Sequence, residues 1–292
     1  MAGDNFFEGI KTEQDLKNKL IKNVSKHDYY MFYTNDEIVD KTLNNGIRLT
    51  NGVNWNDLID RQNLNKDGKI RFVNCFTYSK SENVAMWFLY GASNNGCLVK
   101  YVKSQILSLL TDKNLNIEIK SKKGLTEYSV KKLNREDFDI ELIDVVYVGT
   151  GDDDESLALK KSIYGENVSK TGFSYDIDNG KLDYYAKTYG WAYENECRLV
   201  ISIDSKKLQI EPDKEYFIDL KISEKSGNKY KYPIIVLSPF YKSENIKKYT
   251  SNFVCSNYTG KISWNFKNSN GNTQKTDFEL ETIDENEIRL IS

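Results

Sequence analysis

Apolar positions first recur at helical spacing in EQDLKNKLIKNV, where Leu16, Leu20, Ile21 and Val24 form one stripe behind Thr12, a residue suited to an N-cap. DYYMFYT (28–34) then changes to strand composition. Asn35 or Asp36 opens a second helix through EIVDKTLNN, Gly46 closes it, and IRLT follows as a short strand. A turn in RQNLNKDGK leads into a strand ending at Phe76. Ser81 begins the helix SENVAMWFLYG, and CLVKYV (97–102) is the next strand.

Residues 103–140 read as helices and connections, ELIDVVYVG (141–149) as a strand, and DDDESLALKKSIYG as a helix with acids at its positive end. A strand runs through WAYENECRLV (191–200) into ISI. EYFIDL and YPIIVLS are further strands, SENIKKYTS is a short helix, and the tail after Gly260 reads as hairpins. Strands in groups with helices between them, without regular βαβ alternation, predict an α+β fold. With no Pro- or Ser-rich linker and no repeat, the chain is expected to form a single domain over 1–292. Its parts are an N-terminal helical segment (1–27), a core (28–256) and a C-terminal hairpin extension (257–292).

Composition narrows the function classes. The 292 residues are 39% hydrophobic and 29% charged, yet the net charge is only −2, which argues against a strongly DNA-binding or anionic-membrane protein. The longest apolar run, VAMWFLYGA, is about half of what a membrane span needs, and the N-terminus lacks a secretory apolar region. Cys75, Cys97, Cys197 and Cys255 have no C-x-x-C spacing and are expected as reduced, mostly buried thiols of a cytoplasmic protein.

No metal is expected. His27 is the only histidine, which removes His-based centres, and its charged context SKHDYY reads as surface. NLNKDGKI (63–70) imitates the start of a calcium loop but has Asn74 where a bidentate Glu belongs, so a turn is the preferred reading. GTGDDDES (149–156) has a G-x-G, but its acids would repel a pyrophosphate. A nuclease finds no metal-binding spacing.

The remaining chemistry lies in three stretches: YYMFYTNDEIVDKTLNNGIRLT, CFTYSKSENVAMWFLYG and WAYENECRLV. On alternate strand positions, Glu194, Glu196 and Arg198 would share one face, where two neighbouring carboxylates repel. The plain structural reading is a buried ion pair between a Glu and Arg198. CFT (75–77), MWFLY (86–90), WAYENECR (191–198) and VLSPFYKSENIKKY (236–249) together resemble a bacterial family of unknown function. Its members carry C-F-S, M-W-x-x-Y, W-x-Y-E-x-E-x-R and a late I-x-G-P-like turn.

A more distant similarity is to ADP-ribosyltransferases, including the poly-ADP-ribose polymerase and DNA-modifying toxin branches. That resemblance implies a core of two packed small, mostly antiparallel sheets with peripheral helices. It also implies an NAD-dependent ADP-ribosyl transfer or NAD-cleaving activity in a bacterial toxin or phage-defence setting. Glu196 would be the catalytic carboxylate and Glu194 would assist at the acceptor. Tyr33 and Thr34 would hold the ribose, Thr77 or Ser81 the nicotinamide, and Trp87 and Tyr90 would wall the pocket or brace its helix. Arg198 would keep the carboxylates ionised or bind a phosphate. The partners implied are a nucleotide or small molecule and a protein or nucleic-acid acceptor, with no membrane. The sequence departs from that pattern at Phe32, where the transferases carry His or Arg. A non-catalytic nucleotide- or partner-binding module on the same fold is the alternative.

Overall fold

A computed structural model of the chain describes residues 12–57, 60–61, 64, 67–78, 83–91, 95–148, 184–211, 213–222, 233–238, 264–267 and 273–276. It is a mixed α+β fold dominated by antiparallel sheet, and the chain divides into two compact units. Segments Met1–Tyr30, Asn45–Tyr78 and Lys103–Asn228 make the first, and Met31–Asn44, Ser79–Val102 and Lys229–Ser292 the second.

The first unit begins with α1 (Glu13–Val24). Thr12 closes its N-terminus in a capping box with Asp15, so two backbone donors without helical partners are satisfied reciprocally. Its strands are β2 (Ile47–Thr50), β3 (Lys69–Thr77), β5 (Ile117–Lys123), β6 (Thr126–Leu133), β7 (Phe138–Asp144), β10 (Glu196–Asp204) and β11 (Tyr216–Leu220). They lie in the order β7-β10-β3-β2-β11-β5-β6, and every neighbouring pair is antiparallel. Two short parallel strands, β8 (Val146–Val148) and β9 (Ala186–Thr188), pair Tyr147 with Lys187.

Residues 103–140 correct the expectation of helices and connections. Only α4 (Lys103–Thr111) and a 3-10 turn (Arg135–Asp137) are helical; β5 and β6 form a hairpin there. In β6 every residue from Thr126 to Lys132 is exposed, so no apolar alternation marked it as a strand. The predicted strand 141–149 is two strands, β7 and β8, with Val145 between them. The imitation calcium loop ends in a turn. Asp67 and Gly68 have φ of 60° and 73°, and the Asp67 carboxylate accepts a bond from Arg71 Nη2 at 2.9 Å.

β10 is buried on both faces, and Leu199, Val200 and Ile201 are fully covered. Burying a side chain of this kind stabilises by about 1.5–3 kcal/mol. Pairing sets Glu196 against Thr77, Arg198 against Cys75, Val200 against Val73 and Ser202 against Arg71, so these eight side chains share one face. Leu16 and Leu20 of α1 belong to the buried apolar cluster in the middle of that face, with Val73, Val200, Ile143, Tyr184 and Tyr185 among its other members. Charged groups lie at both ends of this apolar patch.

The second unit holds most of β1 (Tyr29–Asn35), then α2 (Asp36–Asn45, all but its last residue), α3 (Val84–Tyr90), β4 (Gly96–Val102) and β12 (Ile234–Leu237), with strand order β12-β4-β1. The hairpin β13 (Trp264–Lys267) and β14 (Thr273–Thr276) bears out the tail expectation for those residues. The Asn35 side chain caps α2 by accepting from the Ile38 N–H at 3.1 Å. α3 starts later than expected, with Asn83 as its N-cap. Gly91 follows it because a Cβ there would stand 2.7 Å from the Trp87 ring. The helices expected at 152–165 and 243–251, and the part of the late turn motif from 239 to 249, lie outside the described residues.

Candidate functional site

The stretch 191–200 is not one strand. Tyr189–Glu194 is a 3-10 helix, Asn195 takes φ of 45°, and β10 begins at Glu196. Asn enters the left-handed region more readily than most residues, because its short polar side chain can bond locally. Glu194 therefore meets Glu196 across a tight turn and not by strand alternation. What relieves their repulsion is Lys187 of β9. Its ammonium lies 2.6 Å from Glu194 Oε2, 3.1 Å from Glu196 Oε2 and 3.9 Å from Asp60 Oδ2. It also stands 4.8 Å from the centre of the Trp191 ring, within cation–π range.

Arg198 completes the network from the strand. Its side chain is wholly buried; Nε donates to Glu196 Oε1 at 2.6 Å, and Nη1 and Nη2 bind both oxygens of Asp60 at 2.7 and 2.6 Å. Nη1 also donates to the Tyr184 carbonyl. The bidentate fork is the geometry that favours Arg over Lys at a buried carboxylate. The Tyr147 hydroxyl accepts from the Glu196 N–H at 2.8 Å, tying the first residue of β10 to β8.

The titration directions follow from this charge count. Burial pushes the Glu196 carboxyl up, but Arg198 and Lys187 outweigh it and hold the group well below the usual carboxylate range. Burial pushes Lys187 down, and Glu196 and Glu194 reverse this and raise it. Asp60 moves the other way: burial raises its carboxyl, Arg198 opposes the rise, and Glu196 adds to it. Burial also raises the Cys75 thiol well above its ordinary value, so Cys75 is a neutral neighbour and not a nucleophile.

Thr77 lies directly opposite Glu196 at the end of β3 and is 3% exposed. Its hydroxyl has no hydrogen-bond partner among the described residues. The structure thus brings together four of the residues singled out in the sequence: Glu194, Glu196, Arg198 and Thr77. Tyr33, Thr34, Trp87 and Tyr90 belong to the second unit. There the Tyr33 hydroxyl accepts from the Asn83 N–H at 3.0 Å, and the Tyr33 and Trp87 rings meet edge to face at 4.8 Å. Trp87 and Thr34 are buried, and Tyr90 is exposed. Ser81 lies outside the described residues.

Sequence reasoning missed Lys187, Asp60 and Tyr147. A signal existed for the first: two adjacent buried carboxylates require a cation, and Lys187 is a near candidate upstream. Asp60 is 138 residues from Arg198 and carries no local mark. His27 was also misjudged, because it is not a surface residue. Its side chain is 10% exposed, Nε2 bonds Asp144 at 2.8 Å, and its ring stacks on Tyr78 at 3.8 Å. Asn23 Nδ2 donates to the same carboxylate, so this pair fastens the end of α1 to β7.

A polar cleft of about 660 Å³ lies at the other end of the same sheet face. Its cations are paired: Lys17 with Glu141 at 3.2 Å, Lys69 with Asp139 at 3.1 Å and Arg71 with Asp67 at 2.9 Å. No helix among the described residues is long and apolar enough to cross a membrane.

No curated protein and no solved structure matches the chain. The charged network is drawn largely from one continuous stretch of sequence, since Tyr147, Lys187, Glu194, Glu196 and Arg198 all fall between α3 and the first half of β10. That stretch, residues 86–199, with M-W-x-x-Y at its start and W-x-Y-E-x-E-x-R at its end, matches the model of a family described as "Protein of unknown function (DUF2971)".

Proposed function

We propose that the Glu196 end of β10 is the reaction centre of an NAD-dependent ADP-ribosyltransferase or NAD-cleaving enzyme. The observation that carries this reading is the pairing of Glu196, held ionised at the start of its strand, with Thr77, whose buried hydroxyl lacks a partner. In the reaction, the bond from ribose C1′ to the nicotinamide nitrogen breaks, and nicotinamide leaves as a neutral pyridine with the bonding electrons. An acceptor oxygen or nitrogen, or water, bonds to C1′ and loses a proton. A fixed carboxylate stabilises the positive charge that develops on the ribose. Glu196 has that role, Glu194 assists the acceptor, and Thr77 offers a hydrogen bond to the nicotinamide amide or a ribose hydroxyl. On this reading the core is ADP-ribosyltransferase-like. A toxin or phage-defence setting goes with it, by family resemblance alone.

A second reading, a non-catalytic nucleotide- or partner-binding module, is favoured by one observation. Both oxygens of Glu196 are already engaged, by Arg198 and by Lys187. Incubation of the purified chain with NAD and assay of free nicotinamide separates the two. Release that is lost in Glu196→Gln, with the fold retained by circular dichroism, supports the enzyme. Absence of release together with an NAD-dependent rise in melting temperature supports the binding module.

A further inference from the structure

We infer that Lys187 is the resting occupant of a cation seat, and that this seat selects the positively charged pyridinium of NAD over the uncharged dihydropyridine of its reduced form. The inference rests on the reading above for its ligand and adds the feature of the ligand that is recognised. Three observations build the seat. The Lys187 ammonium lies between Glu194 and Glu196 and against the face of Trp191, the environment an organic cation seeks. The group Asp60, Glu194, Glu196, Lys187 and Arg198 retains one excess negative charge with Lys187 in place, so withdrawal of Lys187 leaves a charge of −2 that one monocation restores. Beside Glu196, the Thr77 hydroxyl is buried and has no partner among the described residues, so the face already carries a polar group for a ligand.

Access is consistent with exchange. Trp191 is only partly buried, and Gly190 before it is exposed with open space where a Cβ would stand. Lys187 sits on a flexible four-carbon stem, so its head can leave while the backbone of β9 stays paired. A ligand that must displace it binds in proportion to the fraction of molecules with the seat empty. A neutral dihydropyridine supplies no charge to replace the ammonium.

Calorimetric titration of the full chain with NAD, reduced NAD and 1-methylnicotinamide tests this. In Lys187→Met, binding of the two pyridinium probes is expected to tighten about tenfold, with reduced NAD unmoved, because the competing occupant is gone. Lys187→Arg, which keeps a cation, is expected to show no gain. Equal binding of NAD by wild type and Lys187→Met, an equal gain for reduced NAD, or no binding of any probe overturns the inference. Should Lys187→Met not fold, the wild type decides: preference for NAD over reduced NAD must be present and must fall in Trp191→Leu. Selective pyridinium binding without nicotinamide release would remove the enzymatic reading and leave the cation seat standing.

Discussion

Lys187 and Lys132 each meet a glutamate of another strand: Lys187 of β9 lies 3.1 Å from Glu196 of β10, and Lys132 faces Glu118 across the β5–β6 pair at 3.6 Å. The side chains of the first pair are 9% and 4% exposed, and those of the second 79% and 35%. Water already solvates both members of the outer pair, so their meeting changes little. The inner pair has lost its water, and each charge depends on the others for its hydration to be replaced. The two regions also differ in backbone. β10 is paired along both edges, whereas β6 ends the sheet and carries an unpaired residue, Val130, between Ser129 and Lys131. A bulge and two lysines, Lys131 and Lys132, on an edge strand discourage further strand addition. Charge on β6 keeps other chains away, and charge at the start of β10 holds one local geometry.

Substitution sharpens this contrast most at Arg198. Arg198→Met leaves Asp60 buried without its fork and is expected to cost about 3–5 kcal/mol in chemical denaturation. The double change Asp60→Leu with Arg198→Met is expected to recover part of that loss, because apolar groups need no solvation to be replaced. A next, smaller effect appears in acid. The Glu196 carboxyl is depressed in the folded chain, so its contribution is complete above its unfolded value of about 4.3 and is lost as pH falls below that. Asp60, whose carboxyl is raised, acts in the opposite sense: its contribution is present below its unfolded value and lost as pH rises through the folded one. Melting temperatures measured from about pH 5 to about pH 3 should fall less steeply in Glu196→Gln than in wild type.

Thr77→Val probes the same end of the sheet without touching a charge. Removal of a buried hydroxyl that has no partner is expected to leave stability unchanged or raise it by up to about 1 kcal/mol, while NAD binding weakens. A clear loss of stability would mean that the hydroxyl is bonded within the fold and is not available to a ligand. The smallest change is expected at Lys132→Ala, where the denaturation midpoint should stay within measurement error. A measurable loss there would break the comparison.

The sequence made β1, β3 and β4 legible as short runs rich in apolar and aromatic residues, buried on both faces, and α2 through the capping Asn35 and the glycine that follows it. It hid β6, whose residues before Leu133 all face water, and passed over the short Ile117–Ile119–Ser121 alternation of β5; it merged β7 with β8 because the residues across their junction, Leu142 to Val146, are apolar but for Asp144. At the site, Glu194, Glu196 and Arg198 were visible because they share eight residues of chain with Trp191. Their grouping was right, although Glu194 reaches it through a left-handed Asn195 and not through a pleat. Asp60 and the His27–Asp144 pair were hidden because contacts over long sequence separations leave no periodic trace, whereas Lys187, close upstream of Glu194, was within reach of a charge-balance argument.

The long separations within the network also set an order of events as the ribosome makes the chain. Asp60, Cys75 and Thr77 emerge well before their partners on β10, and Asp60 waits 138 residues for Arg198. Until then the β10-facing edge of β3 is an open template with an uncompensated acid beside it. Contacts this distant in sequence form slowly and leave such edges exposed to other chains. A nascent chain stopped before Glu196 lacks the strand that covers this edge, so the segment that carries the proposed chemistry is also the one that makes the first unit safe to release.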